Sequence, residues 1–142
     1  MKRNLIGILS LVVLSGIVAA TASAQTTSKA NVPFAFKVGS KQLPAGTYKV
    51  SALSNQMGAK IQNTESYASA MSVVGATDSE NKGCKLIFHH LAGQYFLSEI
   101  WIGTGARGMA IPTSREEKDL EKELRIASSQ PSAAENVTIA LN

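Results

Sequence analysis

The sequence predicts an all-β fold: a small antiparallel sandwich or open barrel of about seven or eight short strands with one C-terminal surface helix. Three observations carry this. Apolar residues recur at every second position in short runs, as in Val32, Phe34, Phe36 and Val38, and again in Val137, Ile139 and Leu141. Clusters of Gly, Pro, Asn and Ser separate these runs at close spacing. Only one late segment has helical periodicity, and no strand–helix–strand rhythm points to a parallel sheet.

The stretch Lys85 to Ile102 organises the rest. It reads as two apolar strands joined at Ala92-Gly93, and it holds the only tryptophan and both histidines. Gly93 supplies the positive φ that a tight hairpin needs. A two-residue loop pairs Leu91 with Gln94 and Phe88 with Leu97; a three-residue loop including Gln94 slips that register by one. In either register, period-two alternation puts Tyr95, Leu97, Glu99 and Trp101 on one face and Phe96, Ser98, Ile100 and Ile102 on the other. Both faces are apolar enough to be partly covered, which predicts a central strand pair.

Before it, Gln25 to Ala30 is polar and reads as frayed. Asn31 to Val38 is a half-buried strand, with Pro33 at an edge or at the strand start. Gly39-Ser40-Lys41 and Leu43-Pro44-Ala45-Gly46 are turns. Gly46 to Leu53 is a strand with Tyr48, Val50 and Ala52 on one side. Short strands follow at Ala59 to Asn63 and within Tyr67 to Ala76, then a polar loop from Thr77 to Gly83.

After the hairpin, Gly103 to Gly108 is a glycine-rich connection and Met109 to Ile111 a short strand. Ser114 and Glu117 have the spacing of a capping box, worth about 1 kcal/mol, which starts a helix over about 114–126. Leu120 and Leu124 give that helix a thin apolar stripe suited to a surface position. A polar linker with Pro131 then leads to a terminal strand at about 136–141.

The first 24 residues have the pattern of a cleaved export signal. Met1-Lys2-Arg3 is basic, Leu5 to Val18 is apolar and uncharged, and Ala22-Ser23-Ala24 has the small-x-small cleavage pattern. The apolar run is short for a membrane span, so no stable span is expected after cleavage. Residues 25–142 then form a single exported domain, periplasmic or extracellular, long enough to bury a core without staples. The lone Cys84 cannot close an internal disulfide; it is buried as a small hydrophobe or pairs between chains. The formal charge of +4 includes Lys2 and Arg3, so the net field of the exported chain is too weak to argue for nucleic acid.

Several motifs invite chemistry. Gly103-Thr104-Gly105-Ala106-Arg107-Gly108 matches G-x-G-x-x-G, but no helix follows directly and no strand–helix–strand unit surrounds it, so it reads as a glycine turn and no cofactor is expected. His89 and His90 are adjacent on a strand and face opposite ways, so with Cys84 they do not make a metal site. No nucleophile elbow is present. Glu99 could serve glycoside hydrolysis only with a second carboxylate across the sugar, and the sequence places none opposite it. The chain therefore reads as a non-enzyme. Asn136-Val137-Thr138 matches a glycosylation sequon.

The best site candidate is the row Tyr95, Glu99 and Trp101. An aromatic pair flanking a carboxylate on an exposed sheet face is a platform for a glycan or peptide. The competing reading makes Tyr95 and Trp101 core and leaves Glu99 at the rim or paired with a lysine.

Two segments carry a resemblance. Val32-Pro33-Phe34-Ala35-Phe36-Lys37-Val38-Gly39 with Leu43-Pro44-Ala45-Gly46-Thr47-Tyr48-Lys49-Val50 resembles the opening of a family of small signal-peptide-bearing bacterial exported proteins of unknown function. Leu86-Ile87-Phe88-His89, Tyr95-Phe96-Leu97-Ser98-Glu99-Ile100-Trp101 and Ser114-Arg115-Glu116-Glu117 are similar to its second half. The resemblance implies an exported domain and brings no catalytic residue. The function expected is a non-enzymatic envelope module that binds glycan, peptide or protein. The alternatives are a self-associating structural protein of the envelope, and an envelope hydrolase using Glu99.

Overall fold

The computed structural model describes residues 27–53, 57–77, 83–103, 108–128 and 134–142. The export-signal reading, most of the polar loop before Gly83 and the middle of the glycine-rich connection fall outside them. The strands are β1 (Thr27–Val32), β2 (Phe36–Val38), β3 (Lys41–Leu43), β4 (Gly46–Ala52), β5 (Gly58–Asn63), β6 (Ser69–Val73), β7 (Gly75–Thr77), β8 (Lys85–Leu91), β9 (Gln94–Trp101), β10 (Gly108–Ala110) and β11 (Glu135–Ala140). The one described helix, α1, spans Arg115–Ala127 between β10 and β11.

These strands form two open sheets. Sheet A has the order β1-β4-β5-β6; sheet B has β11-β8-β9-β10-β7, with the β2–β3 hairpin joined to β9 through a short parallel pairing. The all-β sandwich with a late surface helix is therefore observed. It has more strands than the sequence predicts, because three-residue strands leave little periodic signal.

Three expected segments are corrected. Gln25 to Ala30 is not simply frayed: β1 begins at Thr27 and pairs with β4 along its whole length. Asn31 to Val38 is not one strand. The chain leaves sheet A after Val32 and enters sheet B at Phe36, with Pro33, which has no N–H to donate, at the crossing. Val32, Phe36 and Val38 still point inward, because the sandwich core lies on the same side of the chain before and after the switch. Tyr67 to Ala76 likewise divides into β6 of sheet A and β7 of sheet B.

The core lies between the inner faces. Val32, Tyr48, Val50 and Ile61 come from sheet A; Phe36, Phe88, Leu86 and Ile100 come from sheet B. Phe36 packs edge-on against both Tyr48 and Phe88, with ring centroids 5.0 and 5.2 Å away. Edge-to-face contacts of this kind add to the stabilisation from area burial. The Tyr48 hydroxyl donates to the Pro44 carbonyl, pinning the Leu43–Gly46 turn onto the strand it starts. Burial raises the Tyr48 pKa above its ordinary value, with an opposing pull from Asn63. One corner of the sandwich is tied by main chain. Lys29 and Asn142 exchange two N–H···O bonds of 2.9 Å, joining β1 to the residues after β11.

The β8–β9 hairpin takes the two-residue loop. Ala92 and Gly93 have φ of 46° and 77°, and Leu91 pairs with Gln94. Positive φ at both turn residues is the type I′ geometry, whose twist matches the strands. β8 and β9 sit centrally in sheet B, between β11 and β10, as predicted. Their inner face meets the core and α1 lies against the outer face at β8.

Candidate functional site

A β-bulge decides the fate of the predicted site. Phe88 pairs with Leu97, but the preceding residue of β8, Ile87, pairs with Glu99, so Ser98 is the extra residue. Paired residues share a face and neighbours on a strand do not. Leu97 and Tyr95, which pairs with His90, therefore face the core side with Phe88. Glu99 and Trp101, which pair with Ile87 and Lys85, face outward. The expectation that Tyr95, Glu99 and Trp101 share a face is thus corrected: one bulged residue reverses the alternation between them. The bulge is also bonded in place, since the Ser98 hydroxyl donates to the Ile87 carbonyl at 3.0 Å.

Each of the three residues has a packing role. Trp101 is 3% exposed. Its indole Nε1 donates to Glu99 Oε2 at 2.8 Å, and the Lys85 ammonium sits 5.8 Å from its ring. Tyr95 stacks between Phe34, at 3.8 Å, and His90, at 4.4 Å, on the other side of the sheet. The fluorescence of Trp101, the single tryptophan, is accordingly expected to be blue-shifted and unmoved by envelope fragments. A red-shifted emission that moves saturably on titration would return this residue to a binding surface.

The outer face of β8 and β9 instead carries a part-buried ion-pair cluster beside α1, in which only Glu117 is fully buried. Ser114 caps the helix by accepting from the Glu117 N–H at 3.1 Å. The second half of the predicted capping box is replaced: the Glu117 carboxylate meets His89 Nδ1 at 2.7 Å. Glu117 is 4% exposed and is the one buried residue of α1. The helix thus docks through a carboxylate, with Leu120 and Leu124 only half-buried beside it. Lys37 of β2 bonds to Glu116 and to Gln94 Oε1, the latter at 2.8 Å, and lies over the Phe96 ring. The Glu117 hydrogen bond chiefly raises the His89 pKa; desolvation opposes it, and the charges of Glu117, Glu121 and Glu99 add to the rise. Sequence reasoning missed this pair because its partners are far apart in the chain and Glu117 looked like a capping residue.

The remaining motif residues are structural in setting. His89 and His90 do face opposite ways, His89 toward Glu117 and His90 toward Tyr95. Cys84 is a half-buried free thiol whose Sγ accepts from the Gly103 N–H at 3.2 Å. That glycine-rich connection runs from strand β9 to strand β10, and α1 starts only after Ser114. Asn136 is exposed on β11. Among the described residues no helix is long and apolar enough to cross a membrane.

Among the described residues, the outer face of sheet A is a polar surface. From β4 it presents Thr47, Lys49 and Ser51, and from β5 Lys60 and Gln62; the alternating Tyr48, Val50, Ala59 and Ile61 are buried. A shallow depression of about 240 Å³ is lined by Lys49, Ser51, Lys60 and Gln62, with Leu53, Ala52 and Thr27 at its side. At its free edge β6 exposes Met71 and Val73, at 68% and 71%. No family model, curated protein or solved structure matches this chain.

Proposed function

We propose that the chain is an exported, non-enzymatic binding module of the bacterial cell envelope, and that it meets its ligand with the outer face of sheet A. The N-terminal basic, apolar and small-residue pattern supports export. One structural observation carries the choice of face. The two sheets are treated differently: α1 lies against sheet B, while no described element lies across β4 and β5 on the outside. A broad polar face beside a rigid core is a ready docking platform, and its main chain is already held by neighbouring strands.

Co-sedimentation of the exported chain with isolated envelope material tests this. The wild type is expected to sediment saturably. Gln62→Trp, which places bulk at the centre of the face without changing charge, is expected to reduce sedimentation at least about fivefold, equivalent to about 1 kcal/mol. Lys118→Trp on the exposed side of α1 is expected to have no effect. Equal sedimentation of the Gln62→Trp chain and the wild type would remove sheet A as the binding face.

A second reading, self-association, is favoured by one feature. β6 is an edge strand with two exposed apolar side chains, and such an edge is a template for pairing with another strand. Under this reading the chain oligomerises with rising concentration and Met71→Lys with Val73→Lys returns it to a monomer. An envelope hydrolase built on Glu99 gains no support, since that carboxylate is engaged by the Trp101 indole.

A further inference from the structure

We infer that the outer face of sheet A is a docking surface for an anionic polysaccharide, one carrying carboxylate or phosphate groups along its chain. This rests on the reading of that face as the binding surface and adds the chemistry of the ligand. The strands of sheet A contain three lysines, Lys29, Lys49 and Lys60, and no acidic residue. All three sit at outward positions. Lys29 is paired directly with Lys49 across β1 and β4. Lys49 pairs with Gln62, and Lys60 lies two residues away on the same strand, so Lys49 and Lys60 are diagonal neighbours. Directly opposed residues have Cβ atoms about 5 Å apart and diagonal ones about 7 Å. The three ammonium groups thus form a row across three strands.

None of the three side chains has an ion pair or hydrogen bond with another described residue. Among the described lysines and arginines only Lys37 has an ion pair, with Glu116, so it is the direct opposition of Lys29 and Lys49, with no acid in the sheet, that marks this row. Like charges directly opposite each other destabilise a sheet. A polyanion laid across the strands reverses the sign of that contribution. Half of the chain's ten acids lie on α1, at Glu116, Glu117, Asp119, Glu121 and Glu123, interleaved with Arg115, Lys118, Lys122 and Arg125, whereas the lysine row lies on the other sheet with no acid among its strands.

Four features select a polysaccharide among polyanions. Hydroxyl and amide side chains, Thr47, Ser51 and Gln62, alternate with the lysines and suit sugar hydroxyls as well as the anionic groups. The sole aromatic residue in these four strands is Tyr48, which is fully buried, so no ring is offered for base stacking. The large apolar side chains of this face stand at its margins, Leu53 after the end of β4 over Gly58 and Met71 and Val73 on the edge strand β6, so no continuous apolar patch across β1, β4 and β5 is offered to a bilayer. The depression between Lys49 and Lys60, at about 240 Å³, is smaller than a pocket for a drug-sized molecule and suits one charged group of a longer chain.

Binding of the exported chain to polygalacturonate, neutral dextran and phosphatidylglycerol vesicles is the test, at low and physiological salt. Polygalacturonate is expected to bind saturably, to weaken as salt rises and to outcompete the other two. Replacing Lys29, Lys49 and Lys60 together by Gln is expected to weaken binding about tenfold or more. Replacing Lys118, Lys122 and Arg125 on α1 by Gln removes the same charge from another face and is expected to leave binding within about twofold. An equal loss in both triple variants would reduce the effect to net charge and overturn the inference. So would preferential binding to the vesicles, or no binding to polygalacturonate. If envelope material still sediments the chain in a Gln62-dependent way while polygalacturonate does not bind, the ligand class alone is wrong. If Gln62→Trp also has no effect, the choice of face is wrong as well.

Discussion

Gly108→Ala is expected to destabilise the protein by about 2–4 kcal/mol, although it adds a single methyl group. The indole of Trp101 lies across β10 at this glycine. A Cβ at residue 108 would stand 2.3 Å from Trp101 Cζ2 and 2.5 Å from Thr77 Cγ2, far inside van der Waals contact. The ring cannot retreat cheaply. It is buried, and its Nε1 is held by Glu99 at 2.8 Å, so displacement adds a lost hydrogen bond to the overpacking. An aromatic side chain covering a cross-strand glycine is a known way to compensate the missing side chain of that glycine. Gly75, two residue pairs along the same β7–β10 ladder, supplies the control. It has nothing within 4 Å of its would-be Cβ, so Gly75→Ala is expected to stay within about 0.5 kcal/mol of wild type. Urea midpoints of the two variants decide the matter; equal midpoints would mean that Trp101 does not occupy the space above Gly108.

Loss of the imidazole at residue 89 is expected to cost about 2–3 kcal/mol near pH 6, and less at high pH. His89→Ala leaves the Glu117 carboxylate, 5% exposed, under α1 without its partner. A fully buried pair broken in this way costs about 3–5 kcal/mol; His89 is 31% exposed, so solvent reduces that figure. The pH dependence has a definite sign. The folded-state pKa of His89 is raised, first by its hydrogen bond to Glu117 and then by the charges of Glu117, Glu121 and Glu99. The folded protein therefore holds this proton more tightly than the unfolded chain. The stabilisation is fully present below the ordinary imidazole value of about 6.5 and is lost as pH rises through the raised value. Wild-type stability should fall across that window, and the His89→Ala profile should lack that component. Parallel pH profiles for wild type and variant would show that the pair makes no contribution.

The two predictions meet at the outer face of β9, where the sequence was read as a possible ligand platform. Phe96, Glu99 and Trp101 there serve packing: Phe96 lies under Lys37 near the helix, Glu99 holds the indole, and Trp101 fills the space over Gly108. Residues enriched in binding sites are also those best suited to cover a sheet, because aromatic rings bury much area while a polar tip finds a partner. Residue type alone does not separate the two roles. Exposure does, and exposure follows from what the rest of the chain lays over a face.

The all-β class, the Ala92-Gly93 hairpin, the helix start at Ser114 and the terminal strand are determined by the sequence alone. Each rests on local physics: period-two alternation, positive φ at a tight turn, and a side chain capping free N–H groups. Of the residues the alternation places inward, Val32, Phe36, Val38, Tyr48 and Val50 are buried, whereas Phe34, at the crossing between the sheets, and Ala52, at the end of β4, are half-buried. What the tertiary structure alone decides depends on partners distant in sequence. The extra residue at Ser98 is visible only against β8, and it turns Tyr95 away from Glu99 and Trp101. Glu117 has the spacing of a capping residue, but the helix lands on His89 and a part-buried ion pair wins. Lys29, Lys49 and Lys60 are three scattered lysines in a weakly basic chain until antiparallel pairing lines them up on one uncovered face. Short-range rules specify the elements; register and coverage specify which side chains are left exposed.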